Sequence, residues 1–169
     1  DKETFLHALG NIPGVEQASW CTSVPPRLYD GDQFRVEGAG EKFIPLNYVN
    51  ADEHYIPTLQ LELKVGRNFS PEMPGDKGHV ILNETAVEQF GWSVDESVIG
   101  KKIDYPGIEK QFEVVGVLRD FNYWSLQAPI PPMALFHVEG PMPSNNGQFS
   151  VMRIVPTGLS TWSSILADV

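Results

Sequence analysis

A chain of 169 residues, 41% of them hydrophobic, is long enough to bury a core in one domain or two small lobes. Its formal net charge of −10 comes from 22 acidic against 12 basic residues, and the basic ones are scattered. That argues against nucleic acid or anionic lipid as partners, since both bind through concentrated positive charge.

Cys21 is the only cysteine, so no intrachain disulfide can form, and within an apolar strand it reads as a small buried residue. No window approaches the roughly 18 to 20 consecutive apolar residues of a membrane span. The chain opens on Asp1-Lys2-Glu3, without a methionine or a signal peptide, which suggests an excised piece or a mature form.

In chain order, Phe5, Leu6, Leu9 and Ile12 at helical spacing predict a helix over 2–11, closed by Gly10-Asn11-Ile12-Pro13-Gly14. Val15 to Cys21 reads as a strand. After Pro25-Pro26 and the Asp30-Gly31-Asp32 turn, Gln33 to Glu37 is weakly strand-like. Lys42 to Val49 alternates Ile44, Leu46 and Tyr48 against Phe43, Pro45 and Asn47, with Pro45 marking an edge or a bulge. Asn50 is placed to cap a short helix over 52–58, with Glu53 bonding back as in a capping box. Leu59 to Val65 alternates with period two and ends at Gly66.

Val80-Ile81-Leu82 predicts a buried strand feeding Asn83, a good helix cap, followed by a helix over 84–90 that stops at Gly91. Ile99 to Tyr105 and Lys110 to Arg119 form a hairpin about Pro106-Gly107. Within the second of these strands Phe112, Val114, Gly116 and Leu118 share one face and Val115 and Val117 the other, so both faces are largely apolar and the strand is central. Its exit, Asp120-Phe121-Asn122-Tyr123-Trp124, is a shaped aromatic loop. Pro129 to Pro132 is a connector, Met133 to Val138 and Phe149 to Val155 are strands, 139–148 is a surface loop, and Leu159, Trp162, Ile165 and Leu166 line a closing helix.

The sequence offers little reactive chemistry. His7, His54, His79 and His137 stand far apart, with no metal-ligand spacing. Asp52-Glu53-His54 is the one tight acidic-histidine cluster, readable as a metal or acid-base site or as the charged first turn of a helix. No Gly-x-x-x-x-Gly-Lys, Gly-x-Gly-x-x-Gly or Gly-x-Ser-x-Gly occurs, and Gly100-Lys101-Lys102 opens a strand where phosphate binding needs a helix. Arg67 is placed to pair with Glu84 or Asp120. Tyr123 and Trp124 are the candidate partner contacts, with packing beneath the loop as the other reading.

Four pieces in series carry a family resemblance: Gly66-Arg67-Asn68-Phe69-Ser70; Val80 to Val87 with Gly91-Trp92; Ile99-Gly100-Lys101-Lys102-Ile103; and Val114 to Leu126. Their order and spacing resemble the extracytoplasmic domain of MacB-like and FtsX-like ABC transporter permeases, and Ile12-Pro13-Gly14-Val15 is similar to the segment that follows the first membrane helix of that family.

The resemblance implies an α+β, two-lobed periplasmic domain. A porter-like βαβ lobe would be built from both chain ends, 1–50 and 128–169, and a mixed α/β Sabre-like lobe from the insert, 51–127. It implies no catalytic residue, cofactor or metal. ATP would be hydrolysed by a cytoplasmic subunit or domain reached through membrane helices, and the intact permease, held in the cell inner membrane with this domain facing the periplasm, would be a dimer. A periplasmic adaptor or other protein partner is implied without being chosen. The alternatives are a free-standing extracytoplasmic binding protein for a peptide or protein and, more remotely, an enzyme built around Asp52 to His54.

Overall fold

The computed structural model describes residues 2–25, 30–123, 127–144 and 148–155. The amphipathic opening segment forms α1 (Lys2–Gly10) and runs through a turn into β1 (Val15–Cys21). Then come β2 (Asp30–Val36), β3 (Phe43–Ala51), a single turn of helix α2 (Tyr55–Thr58), and β4 (Leu63–Gly66). The middle holds β5 (His79–Asn83), α3 (Glu84–Gln89), β6 (Lys102–Tyr105) and β7 (Lys110–Leu118), and β8 (Met133–His137) and β9 (Phe149–Ile154) follow. The closing helix expected over 159–166 lies outside the described residues.

The strands form one nine-stranded sheet, in the order β2-β6-β7-β5-β8-β3-β1-β9, with β4 on β7. Because β2 also pairs with β3 from Asp30↔Tyr48 to Arg35↔Phe43, strands β3, β2, β6, β7, β5 and β8 close on themselves as a ring. Closure removes free edges from those strands. Alternate residues fill the interior: Phe34, Ile44, Leu46, Tyr48, Val80, Leu82, Ile103, Phe112, Val114 and Phe136 form one core, joined by Ala86 and Val87 of α3 and by Phe90 at its C-terminal cap. Their neighbours on the opposite sheet face, Val49, Ile81, Val115, Met133 and Leu135, form a second core with Cys21, Tyr55, Ile56 and Phe69.

The expected division into 1–50 with 128–169 and 51–127 is crossed by hydrogen-bonded ladders. β5 of the middle pairs with β8 (Val80↔Phe136, Leu82↔Ala134), and β2 pairs with β6 (Arg35↔Asp104). The first and last described strands meet in the same sheet, where β1 runs antiparallel to β9 from Val15↔Ile154 to Cys21↔Phe149.

The central-strand reading of β7 holds, but its two faces change phase midway. The ladder with β5 skips from Val80↔Val114 to Ile81↔Gly116. This bulge at Val115 puts Val117 with Phe112 and Val114 in the first core and Leu118 with Val115 in the second. Pro45 lies where β3 pairs only with β2, since β8 joins at Asn47, so it sits at a local edge where its missing N–H is tolerated.

Two local expectations give way to tertiary pairing. Asn50 does not cap a helix: β3 continues through it, and its side chain donates to the Met142 carbonyl (2.8 Å). His54 takes the cap position of α2 without a side-chain cap bond. Gln60 adopts a left-handed φ of 55°, which breaks the strand expected from Leu59, so pairing begins only at Leu63.

Candidate functional site

A cleft of about 690 Å³ lies between α1, β1, the 52–54 turn, the 70–77 loop and the end of β8. Three histidines meet there. His7, His54 and His137 line it, and His79 Nδ1 reaches the Oδ1 of Asp76, another lining residue, at 2.7 Å. Of the four histidines of the chain, those of α1, the α2 turn and the end of β8 line the cleft, and the one at the start of β5 is tied to it through Asp76.

Asp52 and Asp76 are the buried anchors of this cleft. Asp52, 1% exposed, accepts from Ser19 Oγ (2.6 Å), from the Trp20 backbone N–H (2.7 Å) and from the His54 N–H (3.1 Å). It ties β1 to the start of α2, so of the two readings of Asp52-Glu53-His54 the turn-forming one describes Asp52. Asp76 accepts from both Arg67 terminal nitrogens (2.9 and 2.8 Å), the Ser70 N–H (2.7 Å) and His79. Burial pushes its pKa up, but the bonds from Arg67, His79 and Ser70 outweigh that and hold it at about 2.

Glu53 stands between two imidazoles, with Oε1 at 3.6 Å from His54 Nε2 and Oε2 at 3.9 Å from His137 Nε2. Lys77 pairs with Glu139 (2.9 Å) on the cleft rim. Among the described residues, no group of three or more His, Cys, Asp or Glu side chains is disposed to hold a metal ion.

The pairing expected of Arg67 with Glu84 or Asp120 is replaced by Asp76, nine residues along the same loop. Glu84 instead takes Lys64 and the Asp120 N–H, and Asp120 holds Thr85 through its hydroxyl (2.6 Å) and backbone N–H (3.1 Å). Lys101 lies 5.4 Å from the centre of the Trp92 ring and 3.9 Å from Glu37. Burial pushes the Cys21 thiol up to about 12, so it stays protonated and unreactive.

Tyr123 is 1% exposed. It packs in the second core beside Phe121 and donates its hydroxyl to the Pro131 carbonyl (2.9 Å), so its surface goes to packing beneath the loop. Trp124 lies outside the described residues. The histidine cleft escaped sequence reading because its members are separated by 25 or more residues along the chain and carry no shared spacing.

Ring and cleft together define a mixed α/β domain that pairs its first strand with its last described one and carries a polar, histidine-lined recess. Solved structures share this fold. The periplasmic region of MacB from Actinobacillus actinomycetemcomitans matches with a TM-score of 0.67 and 17% identity over 98% of this chain and 71% of that one. A domain of a permease protein from Porphyromonas gingivalis gives 0.67 and 19% over 96% and 73%. The extracellular domain of the noncanonic ABC-type transporter YknZ from Gram-positive bacteria gives 0.64 and 16% over 96% and 76%. Among curated proteins, none matches the chain. The MacB-like periplasmic core domain family matches residues 3–154, and the chain belongs to that family. It is a periplasmic or extracellular domain of an ABC transporter permease. Among the described residues no helix is long and apolar enough to cross a membrane.

Proposed function

We propose that this domain is a non-catalytic body that transmits movement of the permease's membrane helices to the extracytoplasmic side, where it engages a partner or substrate while ATP is hydrolysed by a cytoplasmic subunit or domain. The observation that supports this reading is the β1–β9 ladder. Val15 pairs with Ile154, and the Val155 N–H donates to the Gly14 carbonyl at 2.9 Å. A displacement applied where the chain enters and leaves therefore acts on one continuous ladder, which passes it to the closed ring through the Cys21↔Ala51 pairing of β1 with β3. A packed core transmits such a push because it has little compressibility.

The membrane anchor in the cell inner membrane, the permease dimer, a periplasmic adaptor and a division into two lobes belong to this proposal. So does a contact role for the loop at Tyr123 and Trp124. The test uses the full-length permease with its ATPase. Deleting this domain is expected to leave basal ATP hydrolysis within about twofold and to abolish transport or partner activation. Retained transport overturns the reading. Flanking gene sequence separates it from a free-standing binding protein for a peptide or protein, which has a lipobox or cleavable signal before residue 1 and no second span.

A further inference from the structure

His137 ends β8 with its two ring nitrogens engaged in different tasks. Nδ1 accepts the Glu139 backbone N–H at 3.2 Å, and the His137 carbonyl accepts the Gly140 N–H at 2.8 Å, so ring and carbonyl together hold the turn that leaves the strand. An accepting Nδ1 needs its lone pair, which places the single proton of the neutral ring on Nε2. Nε2 faces Glu53 Oε2 at 3.9 Å, on the turn before α2.

Charged and titratable groups face this ring from several elements. Glu53 also faces His54. Asp52, next to it, is occupied by Ser19, Trp20 and His54. From the 67–79 loop, Phe69 stands edge-on to the ring at 5.5 Å, Asp76 is held by Arg67 and His79, and Lys77 pairs with Glu139. His7 lines the cleft from α1.

We propose that His137 is a proton-operated latch: neutral, it fastens the 137–140 turn through Nδ1, and protonated, it lets that turn go and closes on Glu53. A second proton has only Nδ1 to occupy, and an Nδ1–H cannot accept from the Glu139 N–H. The hydrogen bond is lost, and the turn shifts together with the Lys77–Glu139 pair. The imidazolium charge is meanwhile drawn to the Glu53 carboxylate, which tightens the contact between β8 and the α2 turn. Imidazole is the side chain whose ordinary ionisation falls between pH 5 and 8. The latch is a property of the domain itself and stands whether or not membrane helices move it.

The test is nitrogen-15 NMR of the His137 ring and the Glu139 amide in the 169-residue chain, from pH 8 to pH 5. At pH 8 the ring is expected as the Nε2–H tautomer. On acidification the Glu139 amide resonance follows the midpoint of His137, and its hydrogen exchange, corrected for intrinsic pH dependence, accelerates roughly fivefold, as for the loss of one ordinary hydrogen bond. In His54→Gln the same response remains. An Nδ1–H tautomer at pH 8, a Glu139 amide that ignores the His137 midpoint, or a response that vanishes in His54→Gln each overturns the latch.

Discussion

Gly66 and Gly116 sit opposite one another where β4 meets β7, and at each a side chain would strike backbone. A Cβ on Gly116 would lie 2.4 Å from the Arg67 carbonyl oxygen, and one on Gly66 would lie 2.3 Å from that of Val115. Gly66 also has a φ of +71°, which L side chains rarely adopt. This close approach lets β4 cross β7 beside the bulge at Val115.

Gly116→Ala is therefore expected to destabilise the fold by about 2–3 kcal/mol, because the clash is with backbone that cannot rotate away. Gly10→Ala, where a methyl meets nothing within 4 Å, is expected to be neutral or slightly stabilising. Urea unfolding of both variants checks the contrast, and equal effects contradict it.

Asp76→Asn removes the charge that Arg67 and His79 address and is expected to cost about 2–3 kcal/mol. That lies below the usual figure for breaking a buried pair because Arg67 keeps 37% of its side-chain surface in water. The pH dependence has a definite sign. The carboxyl is held at about 2 in the folded protein against its ordinary 3.8, so its stabilisation is present above pH 3.8 and is lost as pH falls towards 2. Its size is on the order of 2 kcal/mol. Thermal melts from pH 6 to pH 2 are expected to show this loss in the wild type and a shallower slope in Asp76→Asn.

Asn83, fully buried, joins three elements. Its Oδ1 accepts the Ala86 N–H (3.0 Å), capping α3, and the Met133 N–H (2.8 Å) at the start of β8, while Nδ2 donates to the Pro131 carbonyl (3.1 Å). Asn83→Ala strips a cap worth about 1 kcal/mol and leaves the buried Met133 N–H unsatisfied, while the Pro131 carbonyl keeps the Tyr123 hydroxyl, for an expected total of about 2 kcal/mol. A loss below 1 kcal/mol in chemical denaturation contradicts this accounting.

Tyr123→Phe removes the hydroxyl that donates to Pro131 and is expected to cost about 1 kcal/mol, whereas Tyr123→Ala empties a core position and costs about 3–5 kcal/mol. Loss of partner binding in Tyr123→Ala would therefore report on folding. Trp124→Ala, compared with Tyr123→Phe in a pulldown with the domain as bait, separates contact from packing: unchanged binding in both removes the loop from the interface.

Local signals made much of the chain legible. The run Val80-Ile81-Leu82-Asn83 encoded β5, its capped helix and the stop at Gly91, because caps and periodicities act over three or four residues. The apolar character of 112–118 placed β7 at the centre of a sheet, and β1, β8 and β9 emerged within a residue or two of their bounds. The four motif pieces between Gly66 and Leu126 pointed to the family that the fold and the match over 3–154 establish.

Other features belong to the tertiary structure alone. Nothing near Asn50 announced that β8 would pair alongside it and keep β3 extended, and the phase change at Val115 follows from registering β7 against β6 at its start and against β5 and β4 at its end. Arg67 chose Asp76 because the 67–79 loop folds back on itself, and three of the histidines met because distant segments end at one cleft. Hydrophobic periodicity and capping are short-range and can be read along a chain. Strand partners, ion-pair choices and the assembly of a cleft depend on which segments become neighbours, and that is settled only when the ring closes.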